Sequence, residues 1–202
     1  MSEQLAGDGG HEVSLDRTTA VPRLIGRHQD FLIVSGLGGT SKDVGALTGD
    51  SAGAFTMAGA MGAAVSIGLG LALAQPDQQI LVVTGDGELL MNVGALATVA
   101  VAGPRNLSIL CVDNGRYGET GYQKSHTALG TSLEQMARGA GFRRTFTVAG
   151  EDQLPAGAAL LRSGDGPALV VALVAPTEPP PFRRDLDGAA GRIRFRGHVL
   201  GE

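Results

Sequence analysis

The sequence predicts an α/β fold: one domain built on a doubly wound parallel sheet with helices on both faces. Three observations predict it. Apolar runs of strand length alternate with segments of helical pattern. The runs are apolar throughout, as in strands buried on both faces, instead of alternating with polar residues. Three of them end in turns rich in Gly, Asp and Asn, where a parallel α/β sheet presents its ligands.

Residues 1–21 are polar and read as a flexible tail, without the apolar segment of a secretory signal. Phe31–Ser35 is the first strand and runs into Gly36-Leu37-Gly38-Gly39. Ala54–Ala74 is expected as a helix of small residues, with eight Ala and five Gly among residues 52–74. Ser51 to Gln75 is uncharged and long enough to cross a bilayer. Ala and Gly supply little transfer energy, however, and no Lys/Arg cluster flanks the run. It is therefore read as a packed helix that lets a neighbour approach closely, with a membrane span as the lesser alternative.

Gln79–Thr84 is the second strand and ends at Gly85-Asp86-Gly87. Leu89–Ala102 reads as one helix closed by Gly103-Pro104. Leu107–Val112 is the third strand, followed by Asp113-Asn114-Gly115 and a polar loop to Gly130. Thr131 to Glu134 has capping-box spacing and opens a helix ending near Gly141. Thr145–Val148 is a fourth strand, Asp152–Arg162 a helix with Pro155 in its first turn, and Ala168–Val174 a fifth strand. The domain is thus expected over 22–175. Residues 176–202 form an arm, either solvated or lying across another subunit. Right-handed crossovers bring the turns Gly36–Ser41, Gly85–Glu88 and Asp113–Gly121 to one edge of the sheet.

Composition narrows the function. A net charge of −4 and a pI near 5.5 argue against nucleic-acid binding. With 43% hydrophobic and 18% charged residues the chain can build a core. The one cysteine, Cys111, lies in an apolar run and reads as an inert thiol in a reducing, cytoplasmic setting. No Cys/His cluster suggests zinc.

The chemistry is carried by Gly85-Asp86-Gly87 and Asn114, with 26 residues between Gly87 and Asn114. A carboxylate, an amide oxygen and a loop carbonyl, completed by phosphate oxygens, suit Mg²⁺. Glycines let backbone N–H groups approach the same phosphates. Gly-Asp-Gly alone could be a tight turn; strand, Gly-Asp-Gly, helix, strand and Asn in this order are far more specific.

These residues resemble the diphosphate-binding signature of thiamine diphosphate enzymes. Gly38 to Val44, Met57 to Gly62, Ser66 to Leu73, Gly85 to Met91, Asp113 to Gly121, Gln123 and Arg194-Phe195-Arg196 resemble the sulfopyruvate and phosphonopyruvate decarboxylase group, over about residues 22–198. The resemblance implies that Asp86, Asn114 and the Arg116 carbonyl hold Mg²⁺. It implies that Ser41, Gly85, Gly87, Glu88, Tyr117 and Gly118 surround the cofactor. In the Gly59-Ala60-Met61-Gly62 segment, the Gly59 carbonyl would accept from the aminopyrimidine and Met61 would wedge the cofactor's bend; an ordinary core methionine is the plainer reading of Met61. Asp113 replaces the first Asn of the family's usual pair, with little expected loss. Glu88 is expected to point away, as a helix N-terminal charge.

Enzymes of this kind need a second, pyrimidine-binding domain, and one doubly wound sheet already accounts for this chain. The resemblance therefore implies the beta subunit of a heteromer, with an alpha subunit supplying that domain and the activating Glu, in an assembly of two alpha and two beta subunits. The substrate would be a small 2-oxo acid. Glu119 and His126 are candidates to move protons, Gln123 and Lys42 to contact substrate; each could also be an ordinary solvated or loop-bracing side chain. A carboligase or lyase subunit, or a non-catalytic nucleotide-binding module, are the alternatives.

Overall fold

The structure, a computed structural model, describes residues 15–183 and 185–202. Among the described residues eight strands and eight α-helices follow in order, with short 3-10 turns between some of them: α1 (Arg17–Ile25), β1 (Leu32–Ser35), α2 (Gly39–Thr48), β2 (Ala54–Thr56), α3 (Ala64–Ala74), β3 (Ile80–Gly85), α4 (Asp86–Met91), α5 (Ala95–Ala102), β4 (Leu107–Asp113), β5 (Arg116–Tyr117), β6 (Gln123–Lys124), α6 (Leu133–Gly139), β7 (Arg144–Val148), α7 (Leu154–Leu161), β8 (Ala168–Leu173) and α8 (Gly188–Leu200). Six strands make one parallel sheet in the order β2-β1-β3-β4-β8-β7. The winding reverses between β1 and β3, which opens the crevice where such sheets hold ligands. β5 and β6 form a separate antiparallel hairpin.

The sheet is buried on both faces, which is why its strands read as unbroken apolar runs. Along β3, Ile80 and Val82 join one core with Leu69, Leu96 and Ile109. Leu81 and Val83 turn the other way, into a second core with Leu24, Val44 and Val170. That alternation is the two-residue period of a strand.

Several boundaries differ from expectation. The polar start is not a tail up to residue 21. Asp16 caps α1, its carboxylate accepting from Thr18 N at 2.8 Å. Leu15, Ala20, Val21 and Leu24 are buried, so residues 15–21 belong to the domain. The remainder of that expected tail, residues 1–14, lies outside the described residues. The expected Ala54–Ala74 helix is a helix only from Ala64; its first residues form the edge strand β2. Ala60 (φ 59°) and Gly62 (φ 92°) break any continuous helix between them. The expected 89–102 helix is two, α4 and α5, parted at Asn92, whose amide donates to the Gly62 carbonyl at 3.2 Å.

Ser132, not Thr131, caps α6, accepting from Gln135 N. Glu134 therefore does not close a capping box; it takes Arg138 and Thr145 instead. The C-terminal arm is not fully solvated. Its helix α8 lies on edge strand β2, with the Phe195 ring 5.8 Å from that of Phe55 and Arg194 bonded to Asp50 at 3.1 Å. A helix over an edge strand blocks edge-to-edge association. Among the described residues no helix is long and apolar enough to cross a membrane.

Candidate functional site

Three strand ends build the site. After β1, Gly38 (φ 70°) turns the chain into α2, and the turn is pinned by Thr40 Oγ1 donating to the Leu37 carbonyl (3.0 Å) and Ser41 Oγ to the Gly38 carbonyl (2.8 Å). After β3, α4 starts at once with Asp86. The register Gly85↔Val112 sets Asp86 beside Asp113 at the end of β4. Gly87 carries no Cβ because one would lie 2.3 Å from the Tyr117 ring. The three turns expected to converge share one cleft of about 250 Å³.

Asp86 is buried, and the hydroxyls of Ser125 and Thr127 (3.1 Å) both donate to its Oδ2. Thr127 also lies 2.7 Å from Asp113 Oδ1, which accepts from Gly115 N at 3.0 Å. Asn114 Oδ1 accepts from Arg116 N at 3.1 Å. Burial raises the Asp86 carboxyl above its ordinary range. Burial and the neighbouring Asp86 push Asp113 up to about 6. Asp113 thus sets a second acid against the first. Ser125 and Thr127 escaped the sequence reading, since nothing local marks a Ser-x-Thr in a polar loop as the brace of an Asp on another strand.

Glu88 does not point away. It is buried, accepts from Thr84 Oγ1 at 3.0 Å, and occupies the space where a Cβ on Gly36 would come within 1.5 Å of its Oε2. The backbone N–H groups of Gly62, Leu37 and Gly85 face its carboxyl, yet Oε1 lacks a well-formed hydrogen bond among the described residues. Because α4 begins at Asp86, its third residue turns under the strand ends instead of out to solvent. Burial raises this carboxyl, favouring its neutral form and easing the conflict with a nearby anion.

The cleft wall gathers Asp86, Gly85, Gly87, Glu88, Asn114, Arg116, Tyr117, Gly118, Met61, Lys42 and Glu119. Met61 is 38% exposed and lines the cleft, so it is not an ordinary core methionine. Gly59 and Ala60 sit exposed in the same loop, beside the wall but not in it, and Ser41 is buried behind it. Gln123 and His126 are not brought into the cleft. Gln123 bonds to Thr120 (2.8 and 3.0 Å), and His126 is exposed, its carbonyl accepting from Leu129 and Thr131. The structure adds Arg17, Tyr122 and Glu178 to the wall, with Tyr122 OH donating to Glu178 at 2.6 Å.

A family model described as thiamine pyrophosphate enzyme, C-terminal TPP binding domain, matches residues 43–172. The chain is 43% identical over 121 residues to sulfopyruvate decarboxylase subunit beta of Methanocaldococcus jannaschii, covering 60% of this chain and 63% of that one. It is 36% identical over 147 residues to the like-named subunit of Methanococcus maripaludis, covering 73% and 77%. Over 196 residues it is 36% identical to phosphonopyruvate decarboxylase of Streptomyces hygroscopicus, covering 96% of this chain but 46% of that one. The chain thus spans less than two thirds of the first relative and under half of the last. A putative thiamin diphosphate-dependent enzyme from Mycobacterium smegmatis shares the fold, with a TM-score of 0.65 at 23% identity over 82% of this chain and 32% of that one.

Proposed function

We propose, from the premise that this chain belongs to the thiamine pyrophosphate enzymes and carries their C-terminal TPP-binding domain, that it is the beta subunit of a two-component 2-oxo acid decarboxylase. Sulfopyruvate and phosphonopyruvate represent the substrate class, by the names of the relatives. One observation carries the reading: Asp86 and Asn114, at the tips of adjacent parallel strands, line one cleft with a glycine turn on either side.

The donor set fits Mg²⁺. Ser125 and Thr127 anchor one oxygen of Asp86 and so fix the direction of the other. The Gly115–Ser125 bond makes that pair the hydrogen-bonded one of the hairpin, so Arg116 falls on the non-bonded pair and its carbonyl is free of the partner strand. Asp86, Asn114 and that carbonyl would then be the protein ligands, oxygen donors of the kind Mg²⁺ takes beside phosphate oxygens. Backbone N–H groups around Gly87 and Glu88, at the start of α4, would contact the same anion, the Gly87 N–H also facing the Asp86 carboxyl. Gly59 and Met61 would hold the organic part of the cofactor, Met61 as an apolar support. Bound thiamine diphosphate supplies the electron sink for loss of carbon dioxide. Glu119, on the wall against Gly38, would move a proton and Lys42 would pair with substrate charge. A separate alpha subunit contributes the pyrimidine-binding domain and the activating Glu, in an assembly with two copies of each.

The test mixes the purified chain with such a subunit, Mg²⁺ and thiamine diphosphate, and follows carbon dioxide release from a panel of 2-oxo acids. Activity is expected only in the mixture. Turnover by this chain alone defeats the split-site reading, and inactivity of a stable mixture toward every acid defeats the decarboxylase reading.

A further inference from the structure

α1, outside the region matched by the family model, delivers a buried cation to the cleft wall. Arg17 is 4% exposed, yet it lines the cleft. Its Nε and Nη2 donate to the two oxygens of Asp43, at 3.1 and 2.5 Å. Nη1 has no partner among the described residues. It lies against Gly39, where a Cβ would come within 2.9 Å of Nη1 and 2.7 Å of Nη2. Gly39 is the first residue of α2, a ten-residue helix whose N-cap, Gly38, offers no side chain to its open N–H groups. The helix dipole and the guanidinium thus place positive potential at the same spot.

A buried ion pair rarely adds net stability over apolar residues of the same volume, so this pair is not explained by stability. The cleft around it holds Asp86, Glu88, Glu119 and Glu178 against Lys42 and Arg116. A diphosphate entering there brings more negative charge than one divalent cation offsets. Lys42 and Arg116 are only partly buried; Arg17 is held rigid by two bonds and loses little freedom on taking a third.

We propose that Arg17, braced by Asp43, contacts the terminal phosphate of thiamine diphosphate at the N-terminal end of α2. This rests on the cofactor occupying the cleft as argued above. The test is calorimetric binding of thiamine diphosphate, thiamine monophosphate and Mg²⁺-pyrophosphate to the full chain with its co-expressed partner. Arg17→Met alone strands a buried Asp43, so the informative variant is Arg17→Met with Asp43→Leu, which keeps volume without charge; Gly39→Ala displaces the guanidinium with the ion-pair residues intact. Both are expected to weaken thiamine diphosphate and pyrophosphate about 10- to 100-fold, the size of one charge-assisted hydrogen bond, and to leave the monophosphate within about twofold. Unchanged diphosphate affinity in the folded double variant overturns the proposal, as does an equal loss for monophosphate and diphosphate. If the unaltered protein binds none of the three, the cofactor placement itself falls, and Arg17 with it.

Discussion

Asp86 and Asp113 share a single donor: the Thr127 hydroxyl lies 3.1 Å from Oδ2 of the first and 2.7 Å from Oδ1 of the second. One hydroxyl proton cannot serve both. The Ser125 hydroxyl stands 2.9 Å from Thr127 and also donates to Asp86. The arrangement closes when Asp113 carries a proton and gives it to Thr127, which donates on to Asp86. That is the state favoured by the rise of the Asp113 carboxyl to about 6.

This makes stability fall with pH in an unusual window. Asp113 titrates near 6 when folded against an ordinary 3.8, so the folded chain holds the extra proton. The stabilisation is complete below about pH 4 and is lost as pH rises through 6. The ceiling is roughly 3 kcal/mol. Asp113→Asn is expected to melt higher than the parent at pH 8, with the gap closing toward pH 4, in metal-free buffer. A parallel pair of melting curves across that range rejects the assignment.

Asp86→Asn separates stability from binding. It removes a charge that burial penalises, so the metal-free variant should be as stable or more stable, by roughly 1 kcal/mol. Its Mg²⁺-dependent affinity for thiamine diphosphate should drop at least 100-fold. Retained affinity would remove Asp86 as a metal ligand.

The braces of Asp86 should matter almost as much. Ser125→Ala and Thr127→Val leave every proposed ligand in place but release Oδ2. A loss of about 10- to 100-fold in Mn²⁺ affinity is expected, as for other second-layer partners of metal ligands, measured by paramagnetic titration in the presence of cofactor. Affinity within twofold for both variants would show that backbone alone orients Asp86.

Gly36 and Glu88 form a steric pair that a double-variant cycle can read. Gly36 has no left-handed backbone to justify it; the three atoms that a Cβ there would meet first all belong to the Glu88 carboxylate. Gly36→Ala is expected to cost about 1–3 kcal/mol by overpacking. Combined with Glu88→Ala it should cost much less than the sum of the two single changes. Additive costs would mean that Glu88 swings aside freely.

The fold was legible because its signals are local. Leu107 to Val112 reads as a strand buried on both faces from six consecutive residues, and Gly103-Pro104 marks a helix end by backbone geometry alone. β2 was missed because Ala54-Phe55-Thr56 carries no strand pattern; it pairs only because β1 lies alongside. Asp86 and Asn114 were legible as neighbours at one edge because each follows a recognisable strand at its tip.

By itself, the chain's order of apolar runs and glycine turns determined a parallel sheet and the two residues at its open edge. What the tertiary structure decided is direction: Glu88 inward, His126 outward, Arg17 folded back from the chain's start onto a wall 26 residues further along. Turn and strand preferences come from a residue's own backbone and neighbours. Which way a side chain faces, and what charge stands against it, depends on segments brought together only when the long connections close.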